Sequence, residues 1–489
     1  MNYQMIGFVI GRILLTEAAL LMLPMAVALV YGEAAAPFLL PALLLALIGL
    51  VLGRRQPRRS NLYARDGFAV VALAWVLMSA FGALPFVLSG DIPNFVDAFF
   101  ETVSGFTTTG ASILTEIEPL GRGVLFWRSF THWVGGMGVL VFVMAILPMN
   151  DGHGMHLMRA EVPGPTVGKL VSRMGDTAKI LYGIYLAMTL VEIVLLLLGG
   201  MPLYDACIHA FGTAGTGGFS CRNLSVGAYD SAYFDVVISV FMLLFGINFN
   251  LYYFLLIRRF RDVFHSEELR AYLLIVVTAV LAIAADIVHI YGSVFRSLRY
   301  ALFQVASIIT TTGYATADFN TWPVFSQAIL VILMFIGACA GSTGGGIKVA
   351  RVVILCKTSL ADMRKMLHPN AVTTVRFEGK PLSERNIRGV HLFLTVYILI
   401  FTVSVLLLSL ERFDLITTFT AVASCMNNIG PGLEMVGPMG NFSAFSPAAK
   451  LLLAFDMLVG RLEIFPMLLL FAPSIWKRRI GPVKSSRSL

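Results

Sequence analysis

The chain has 489 residues, of which 57% are hydrophobic and only 13% are charged. Because soluble domains carry about 25% charged residues, this composition excludes a water-soluble globular protein. The formal net charge is +8, from 36 Lys and Arg against 28 Asp and Glu. In a membrane protein such an excess marks cytoplasmic loops, so we expect membrane lipid and no nucleic acid as a partner.

Long apolar blocks separated by short basic segments predict a polytopic α-helical protein rather than a β-barrel. The first block, from Tyr3 to about Val30, is too long for a cleaved signal peptide and is expected to be a retained helix. The positive-inside rule places the basic segments and both termini in the cytoplasm. These segments lie at 54–65, 159–179, 258–270, 351–388 and 477–487.

The first apolar stretch predicts a plain helical hairpin, with helices at about 3–30 and 36–53. Each of the other four stretches predicts a long helix, a half-length apolar segment, a polar loop and a second helix. The long helices are expected at 67–89 and 122–147, 177–199 and 232–257, 270–291 and 323–356, and 391–410 and 446–475. The half-length segments at about 95–106, 203–213, 297–309 and 414–426 are too short to cross a core of about 30 Å and are predicted to be re-entrant.

The predicted fold is therefore an all-α polytopic membrane protein of ten spans. Four helix–re-entrant pore loop–helix repeats surround a central pore and follow an N-terminal two-helix hairpin. The expected units are the hairpin with its basic loop (1–66), repeat one (67–150), repeat two (151–262), repeat three with a broken second helix (263–370), and repeat four with a basic tail (371–489).

The polar loops carry a recurring motif. The sequence Ser104-Gly-Phe-Thr-Thr-Thr-Gly110 matches Ser307-Ile-Ile-Thr-Thr-Thr-Gly313 in its Ser, Thr-Thr-Thr and Gly. The second loop keeps Thr216-Gly217, and the fourth keeps Ser424 and Gly430 with Asn in place of Thr. The glycines at 110, 217, 313 and 430 therefore recur through all four repeats, which favours a repeat over the alternative of ordinary Thr and Gly helix packing.

Irregular backbone inside a membrane must be buried in protein or line a water-filled path. Four such loops around one axis can replace the hydration shell of a monovalent cation with carbonyl and hydroxyl oxygens. Oxygen ligands without an obligatory carboxylate favour an alkali cation over a divalent one. The predicted ligands are Thr108, Thr109, Gly110, Thr216, Gly217, Thr311, Thr312, Gly313, Asn428, Ile429 and Gly430.

The second helix of repeat three contains a glycine-rich stretch at 337–347 that should break it. It is not a phosphate-binding loop, because Ile347 precedes Lys348 and Val349 follows it. A flexible intramembrane loop or an ordinary packing motif remain possible. The candidate functional residues around this break are Gly341, Gly344, Gly345, Gly346, Lys348 and Arg461. An arginine such as Arg461 inside an apolar block should face the pore or pair with a buried acid.

Two further motifs complete a resemblance. The four loops, together with Arg128, His132-Trp-Val-Gly-Gly-Met-Gly138 and Gly341-Ser-Thr-Gly-Gly-Gly-Ile-Lys348, resemble the Trk/Ktr/HKT superfamily of cation transporters. The similarity is closest to its bacterial TrkH/TrkG/TrkI branch of potassium-uptake subunits. It implies a filter with one glycine per repeat, a gate at the glycine-rich stretch, and an arginine near the filter at position 461.

The same resemblance implies a bacterial inner-membrane homodimer that recruits a cytoplasmic nucleotide-binding TrkA-type subunit. It further implies K⁺ as the transported ion, no organic cofactor and no enzymatic activity. Sodium permeability or sodium coupling remains an alternative, because Asn427, Asn428 and Thr213-Ala-Gly215 make the ring chemically asymmetric. Passive flux and symport with protons or sodium are both left open.

A membrane-embedded transferase is the alternative from another class, but His132, His209, His289 and His391 are scattered rather than clustered. The pair His153 and His156 lacks an evident third metal ligand. The five cysteines show neither zinc nor disulfide spacing. Acidic residues at the outer ends of the re-entrant segments could concentrate cations at a pore mouth, or could be ordinary solvated charges. They include Asp97, Glu101, Asp205 and Asp414.

Overall fold

The structure is a computed structural model that describes residues 2–54, 64–138, 174–370 and 373–473. The described chain is mostly helical (72%), and its strands form one two-stranded hairpin. The basic segments 159–179 and 477–487 lie largely or wholly outside the described residues, and so does the pair His153 and His156. The all-helical class predicted from composition is confirmed.

The N-terminal hairpin consists of one bent crossing and one straight crossing. Its helices are α1 (Tyr3–Leu20), α2 (Met22–Val30) and α3 (Ala36–Gly53). Small residues let α1 and α3 approach closely, since a β-carbon on Gly11 would lie 2.6 Å from the backbone nitrogen of Gly53. The opposite face of α3 exposes a stripe of leucines at i, i+3 and i+4 spacing, which suits contact with lipid. These are Leu40, Leu43, Leu47 and Leu50.

Four repeats follow the hairpin. Repeat one contains α4 (Ala64–Gly82), α5 (Leu84–Ser89), α6 (Phe95–Phe106) and α7 (Arg122–Gly136). Repeat two contains α8 (Met174–Leu198), α9 (Leu203–Gly215), α10 (Ala232–Phe245) and α11 (Phe249–Leu256). Each begins with a long helix, turns back through a short one and ends with a second helix.

The last two repeats have the same order of elements. After a short α12 (Phe260–Phe264), repeat three contains α13 (Glu267–Tyr291), α14 (Val294–Ile309), α15 (Val324–Ile336) and α16 (Val349–Leu367). A β-hairpin with strands β1 (Arg376–Phe377) and β2 (Lys380–Pro381) leads into repeat four. That repeat contains α17 (Glu384–Leu408), α18 (Leu415–Asn427), α19 (Pro447–Arg461) and α20 (Phe465–Leu470).

The half-length helices α6, α9, α14 and α18 have 12, 13, 16 and 13 residues. At 1.5 Å per residue these are about 18–24 Å long, which is shorter than a bilayer core. Side chains cap two of them: Asn94 accepts the N–H of Val96 at 2.9 Å, and Asp414 accepts that of Thr417 at 2.8 Å. Hydrogen bonding to Thr417 also lowers the pKa of Asp414. We call these four elements the pore helices.

Six helices of the described chain are long and apolar enough to cross a membrane. Two belong to the hairpin and the other four open the repeats. They span Tyr3–Val30, Ala36–Gly53, Asp66–Ser89, Thr177–Leu198, Glu267–Tyr291 and Glu384–Glu411. The bent pair α10 and α11 counts as a seventh crossing if it is taken as one span.

The second helices of repeats two, three and four are interrupted, whereas the sequence predicted a break only in repeat three; in repeat one α7 ends at Gly136, close to the end of the described segment. Helices α7, α10, α15 and α19 end after 15, 14, 13 and 15 residues. In repeat two the chain then bends by 92° between α10 and α11. In repeat four Glu463 and Ile464 have φ values of 50° and 72°, so the continuous helices predicted at 232–257 and 446–475 were wrong. Contacts with other repeats, described below, hold these breaks open.

The close approach of α1 and α3 predicts that alanine destabilises the protein at Gly11. Alanine should stabilise it at Gly389, which has no such close neighbour. In Gly11→Ala the new methyl group meets backbone of α3, so we expect a loss of about 1–3 kcal/mol. In Gly389→Ala, on α17, nothing lies within 4 Å of the new carbon, and the variant should gain about 0.5–1 kcal/mol because a helical glycine is removed. Thermal unfolding midpoints in detergent measure both. Equal midpoints would contradict the packing of the hairpin.

Candidate functional site

Each pore helix ends in a loop that has the same backbone conformation in all four repeats. The first turn residue is left-handed, with φ of 55° at Thr108, 56° at Thr216, 59° at Thr311 and 57° at Asn428. The next residue donates its N–H to the carbonyl oxygen five positions earlier, at 2.9, 2.8, 2.8 and 3.0 Å in chain order. This is the pattern by which a helix closes its C-terminus through one left-handed residue. The four loops are thus equivalent in geometry.

Glycines two positions after these left-handed residues bring the four loops together into a closed ring. All four have left-handed φ values: 82° at Gly110, 75° at Gly218, 83° at Gly313 and 98° at Gly430. A β-carbon on each of the first three would overlap a carbonyl oxygen of the next repeat, that of Gly217, Thr312 or Ile429. A β-carbon on Gly430 would lie 2.9 Å from the carbonyl oxygen of Thr109 in repeat one. The order of the repeats in the chain is therefore their order around the ring.

We call Gly110, Gly218, Gly313 and Gly430 the glycine ring. The structure changes the register that the sequence suggested for repeat two, where Gly217 was aligned with the other glycines. By backbone conformation Gly217 corresponds to Thr109, Thr312 and Ile429, and Gly218 takes the position of the ring glycine. Gly217 and Gly218 are adjacent in the sequence, and nothing in the sequence shows which of them matches the glycines of the other loops. Gly218 was therefore missed.

Side chains from outside the loops explain why the four loops differ in sequence. In repeat two, a β-carbon at Gly217 would overlap the imidazole ring of His132, which stacks on Phe219 with ring centroids 4.1 Å apart. His132 therefore occupies the space that a threonine side chain would need. In repeat four, Asn428 donates to the hydroxyl of Thr109 and to the carbonyl oxygen of Met457, both at 2.9 Å. The asparagine braces repeat four against repeat one.

Most threonine hydroxyls of the loops form hydrogen bonds with other groups of the protein. Thr107 and Thr109 join their hydroxyls at 2.8 Å in repeat one, and Thr310 and Thr312 do the same in repeat three. Among the described residues, the buried hydroxyl of Thr108 has no hydrogen-bond partner. The backbone carbonyls next to the ring glycines therefore remain as the regular set of oxygen donors, one from each repeat.

A cavity of about 120 Å³ lies on one side of the ring and is lined by all four ring glycines. The described residues that line it include the side chains of Arg128 and Arg222 and no acidic residue. Both arginines are neutralised from outside the cavity, Arg128 by Glu101 at 2.6 Å and Arg222 by Asp205 at 3.2 Å. We call this cavity the vestibule.

Of the four acids expected at a pore mouth, three form ion pairs with basic side chains, and the exposed Asp414 caps a pore helix. Glu101 is fully buried, and besides Arg128 it accepts the hydroxyl of Ser112 and the N–H of Ile113, both at 2.9 Å. Asp97 pairs with Lys450 at 2.6 Å, while Asp414 caps a pore helix. The sequence does not reveal these partners, because they come from distant parts of the chain.

On the other side of the ring lies the irregular segment between α15 and α16, residues 337–348, which we call the break loop. The N–H of Gly345 donates to the hydroxyl of Thr311 at 2.6 Å, and the N–H of Gly346 donates to the carbonyl oxygen of Asn427 at 3.1 Å. A β-carbon on Gly344 would lie 2.8 Å from the carbonyl oxygen of Thr310. The break loop therefore touches the inner ends of pore helices three and four directly.

The break loop also meets the interruptions in repeats one, two and four. Arg461 donates to the carbonyl oxygens of Thr343 at 2.8 Å, Gly135 at 2.5 Å and Gly136 at 2.6 Å. In repeat two, the N–H of Phe249 donates to the carbonyl oxygen of Gly341 at 3.0 Å. The chain after the second helix of repeat two and the end of that of repeat four therefore contact this one segment directly, and the end of that of repeat one is linked to it through Arg461.

Two charged groups near the break loop have partners that differ from the simplest expectation. Lys348, with φ of 81°, donates its ammonium group to the carbonyl oxygen of Gly344 and so folds the loop on itself. Glu463 forms an ion pair with Arg351 and not with its near neighbour Arg461. Arg461 instead donates to the backbone of the break loop, at the carbonyl oxygen of Thr343.

The buried pair of Glu101 and Arg128 gives a prediction for the wall of the vestibule. Arg128→Met leaves a buried carboxylate without its cation, which should cost about 3–5 kcal/mol. The double variant Glu101→Gln, Arg128→Met removes both charges and should recover most of that loss. Unfolding midpoints in detergent measure the series. If the double variant were less stable than the single one, the pair would not be the main partner of Glu101.

Comparisons with known proteins agree with this geometry. A family profile described as "TrkH: Cation transport protein" matches residues 41–478. The Trk system potassium uptake protein TrkH of Salmonella typhimurium is 38% identical over 98% of this chain and 100% of its own length. The potassium uptake protein TrkG of Escherichia coli is 35% identical over 85% of this chain and 86% of its own length.

The crystal structure of the potassium transporter TrkH from Vibrio parahaemolyticus superimposes with a TM-score of 0.87 at 35% identity, covering 98% of this chain and 100% of that one. These relatives are named as transport proteins, so the alternative of a membrane-embedded transferase is set aside. The expectation drawn from the four loops is confirmed, and the chain belongs to the TrkH family of cation transport proteins.

Proposed function

We propose that this protein is the translocating subunit of a bacterial Trk-type potassium uptake system and that the glycine ring is its selectivity filter. The observation that carries the proposal is the closure of four equivalent loops into one ring between a vestibule and a break loop. The relatives named as potassium uptake proteins support K⁺ as the transported ion. Sodium remains the competing ion against which the filter must be tested.

In this proposal the carbonyl oxygens next to the ring glycines take over the hydration shell of the ion. One comes from each repeat: Thr109, Gly217, Thr312 and Ile429. The hydroxyls of Thr108, Thr216 and Thr311 and the side chain of Asn428 are proposed as further ligands. Ring glycines are required because their β-carbons would overlap these same carbonyls.

The ends of the pore helices supply the attraction for a cation. All four helices end at the ring, and each helix C-terminus is equivalent to roughly half a negative charge. Because the described lining of the vestibule contains no acid, this backbone field is the principal source of negative potential there. Such a field acts on any monovalent cation, so discrimination between potassium and sodium depends on the rigidity and size of the ring.

The filter proposal predicts the effect of adding a side chain at one ring glycine. Gly313→Ser places a β-carbon against the carbonyl oxygen of Ile429, so the ring must widen or distort. We expect the ratio of potassium to sodium uptake in proteoliposomes to fall at least about tenfold, which is about 1.4 kcal/mol of discrimination.

The matched control is Gly292→Ser, at the end of α13, where φ is 62° and nothing lies within 4 Å of the new carbon. It carries the same left-handed strain without touching the ring. Loss of selectivity in both variants would point to general destabilisation, and unchanged selectivity in Gly313→Ser would count against the filter. Imposed sodium and proton gradients in the same vesicles distinguish passive flux from symport.

The break loop is proposed as the gate, with Gly341, Gly344, Gly345, Gly346, Lys348 and Arg461 as its parts. Its hydrogen bonds to Thr311 and Asn427 support this role, because they hold its backbone against the inner ends of two pore helices. The ammonium group of Lys348 and the guanidinium group of Arg461 add positive charge beside that exit, which repels a cation. The glycines give the backbone of the loop the conformational freedom to move away from the pore helices.

Deleting Gly344–Gly346 tests this gate. The deletion removes the contacts with Thr311 and Asn427, so potassium flux without any partner protein should rise. Flux through reconstituted vesicles is the measurement, and monodisperse elution in detergent shows that the fold survives. A variant that elutes normally yet carries no more potassium than the unmodified protein would exclude the loop as the obstacle.

The setting of this function is also part of the proposal. We infer a homodimer in the inner membrane, with both termini and the basic segments in the cytoplasm and repeats bounded as the sequence suggests. A cytoplasmic nucleotide-binding TrkA-type subunit is the proposed regulator, supported by relatives that are named as parts of a Trk system. No organic cofactor is proposed.

A further inference from the structure

One carboxylate joins the two flanks of the break loop. Glu268, in the first turn of α13, accepts the N–H of Ala340 at 2.6 Å and the N–H of Ala350 at 3.2 Å. Ala340 lies inside the break loop, and Ala350 lies just beyond it, at the start of α16. Glu268 is only 6% exposed, and its hydrogen bond to Ala350 is buried while that to Ala340 is partly buried. The carboxylate therefore ties the entry of the loop to its exit.

The β-hairpin holds the same end of α13 from outside. The carboxylate of Glu378, at the hairpin turn, accepts the hydroxyl of Ser266 at 2.9 Å and the N–H of Glu268 at 3.0 Å. The neighbouring Glu267 accepts the N–H of Glu378 at 3.3 Å and pairs with Lys357 on α16. The hairpin thus fixes the backbone from which the side chain of Glu268 reaches the loop.

An apolar contact couples the hairpin to α16 as well. Phe377 is buried in a cluster with Ala350, Ile354 and Val390. Most of the rest of the hairpin is exposed, including Arg376 and Lys380. A displacement of this exposed element would pull on α13 through Glu378 and on α16 through Phe377.

We propose that Glu268 is a positioning residue that latches the break loop closed, and that the β-hairpin is the external handle of this latch. The proposal rests on the gate described above. Two N–H groups on opposite flanks share one acceptor, so both lose it together when α13 and α16 separate. A buried donor without a partner is costly, and the closed arrangement is therefore favoured only while the carboxylate stays in place.

Cys339 provides a natural reporter of the latch. It directly precedes Ala340, is 1% exposed, and lies inside the break loop. Its thiol should react slowly with a small thiol reagent while the loop is closed and faster when the flanks part. Replacing Cys207, Cys221, Cys356 and Cys425 leaves it as the single cysteine, and the reaction is followed by intact mass in detergent.

The principal variant is Glu268→Ala in this background, for which we expect the labelling rate of Cys339 to rise at least about tenfold, or about 1.4 kcal/mol. Glu268→Gln keeps a carbonyl acceptor of the same length and should label within about threefold of the parent. The matched control is Glu411→Ala, which removes a carboxylate bound to the N–H of Ser446 at 3.1 Å and to its hydroxyl at 2.6 Å. It should leave Cys339 unchanged.

The handle is tested by Glu378→Ala, alone and together with Glu268→Ala. Because Glu378 acts through Glu268, the single variant should raise labelling and the double variant should match Glu268→Ala. If the effects of the two substitutions on the labelling rate multiplied in the double variant, they would be independent. That result would overturn the proposal that Glu378 acts through Glu268. Unchanged labelling in Glu268→Ala, or an equal rise in Glu411→Ala, would overturn the latch. Labelling does not depend on which ion passes, so these outcomes are separate from failure of the proposed filter or of the deletion at 344–346.

Discussion

The structure depends on the requirement that backbone polar groups inside a membrane find partners within the protein. Each pore helix stops part of the way across, and its last carbonyls are satisfied by the same left-handed turn in all four repeats. That turn aims the following residues toward a common centre, where four glycines allow the loops to touch. The geometry of the glycine ring is thus a consequence of how a short helix ends in an apolar environment.

The same requirement explains the inner half of the molecule. The described second helices end after 13 to 15 residues, and each end leaves backbone groups that must be hydrogen-bonded. The break loop, Arg461 and Glu268 supply most of these partners. A segment that satisfies so many exposed backbone groups is tightly held, yet it is held by exchangeable hydrogen bonds rather than by a continuous helix. This combination suits an element with two stable positions.

Sequence reasoning reached the repeats because their signals are local. Hydropathy, segment length and recurring Thr and Gly predicted the pore helices to within about three residues at each end, as for 95–106 and α6. The register of Gly218 was missed because two glycines are adjacent and the space taken by His132 is a tertiary fact. The breaks in α10–α11 and α19–α20 were missed because no run of glycines announces them. Glu463 has its partner Arg351 more than a hundred positions away.

The imidazole ring of His132 fills the space beside Gly217 in repeat two, and this restricts which substitutions the loop can accept. Threonine at position 217 would restore chemical symmetry to the loops but would collide with an imidazole that belongs to repeat one. Asn428 in turn links repeat four to Thr109 of repeat one. The repeats have become interlocking parts, so none can be exchanged for another without a second, compensating change in its neighbour. Substitutions at positions 132 and 217 are therefore expected to occur in pairs, and the asymmetry of the ring is built into its supports.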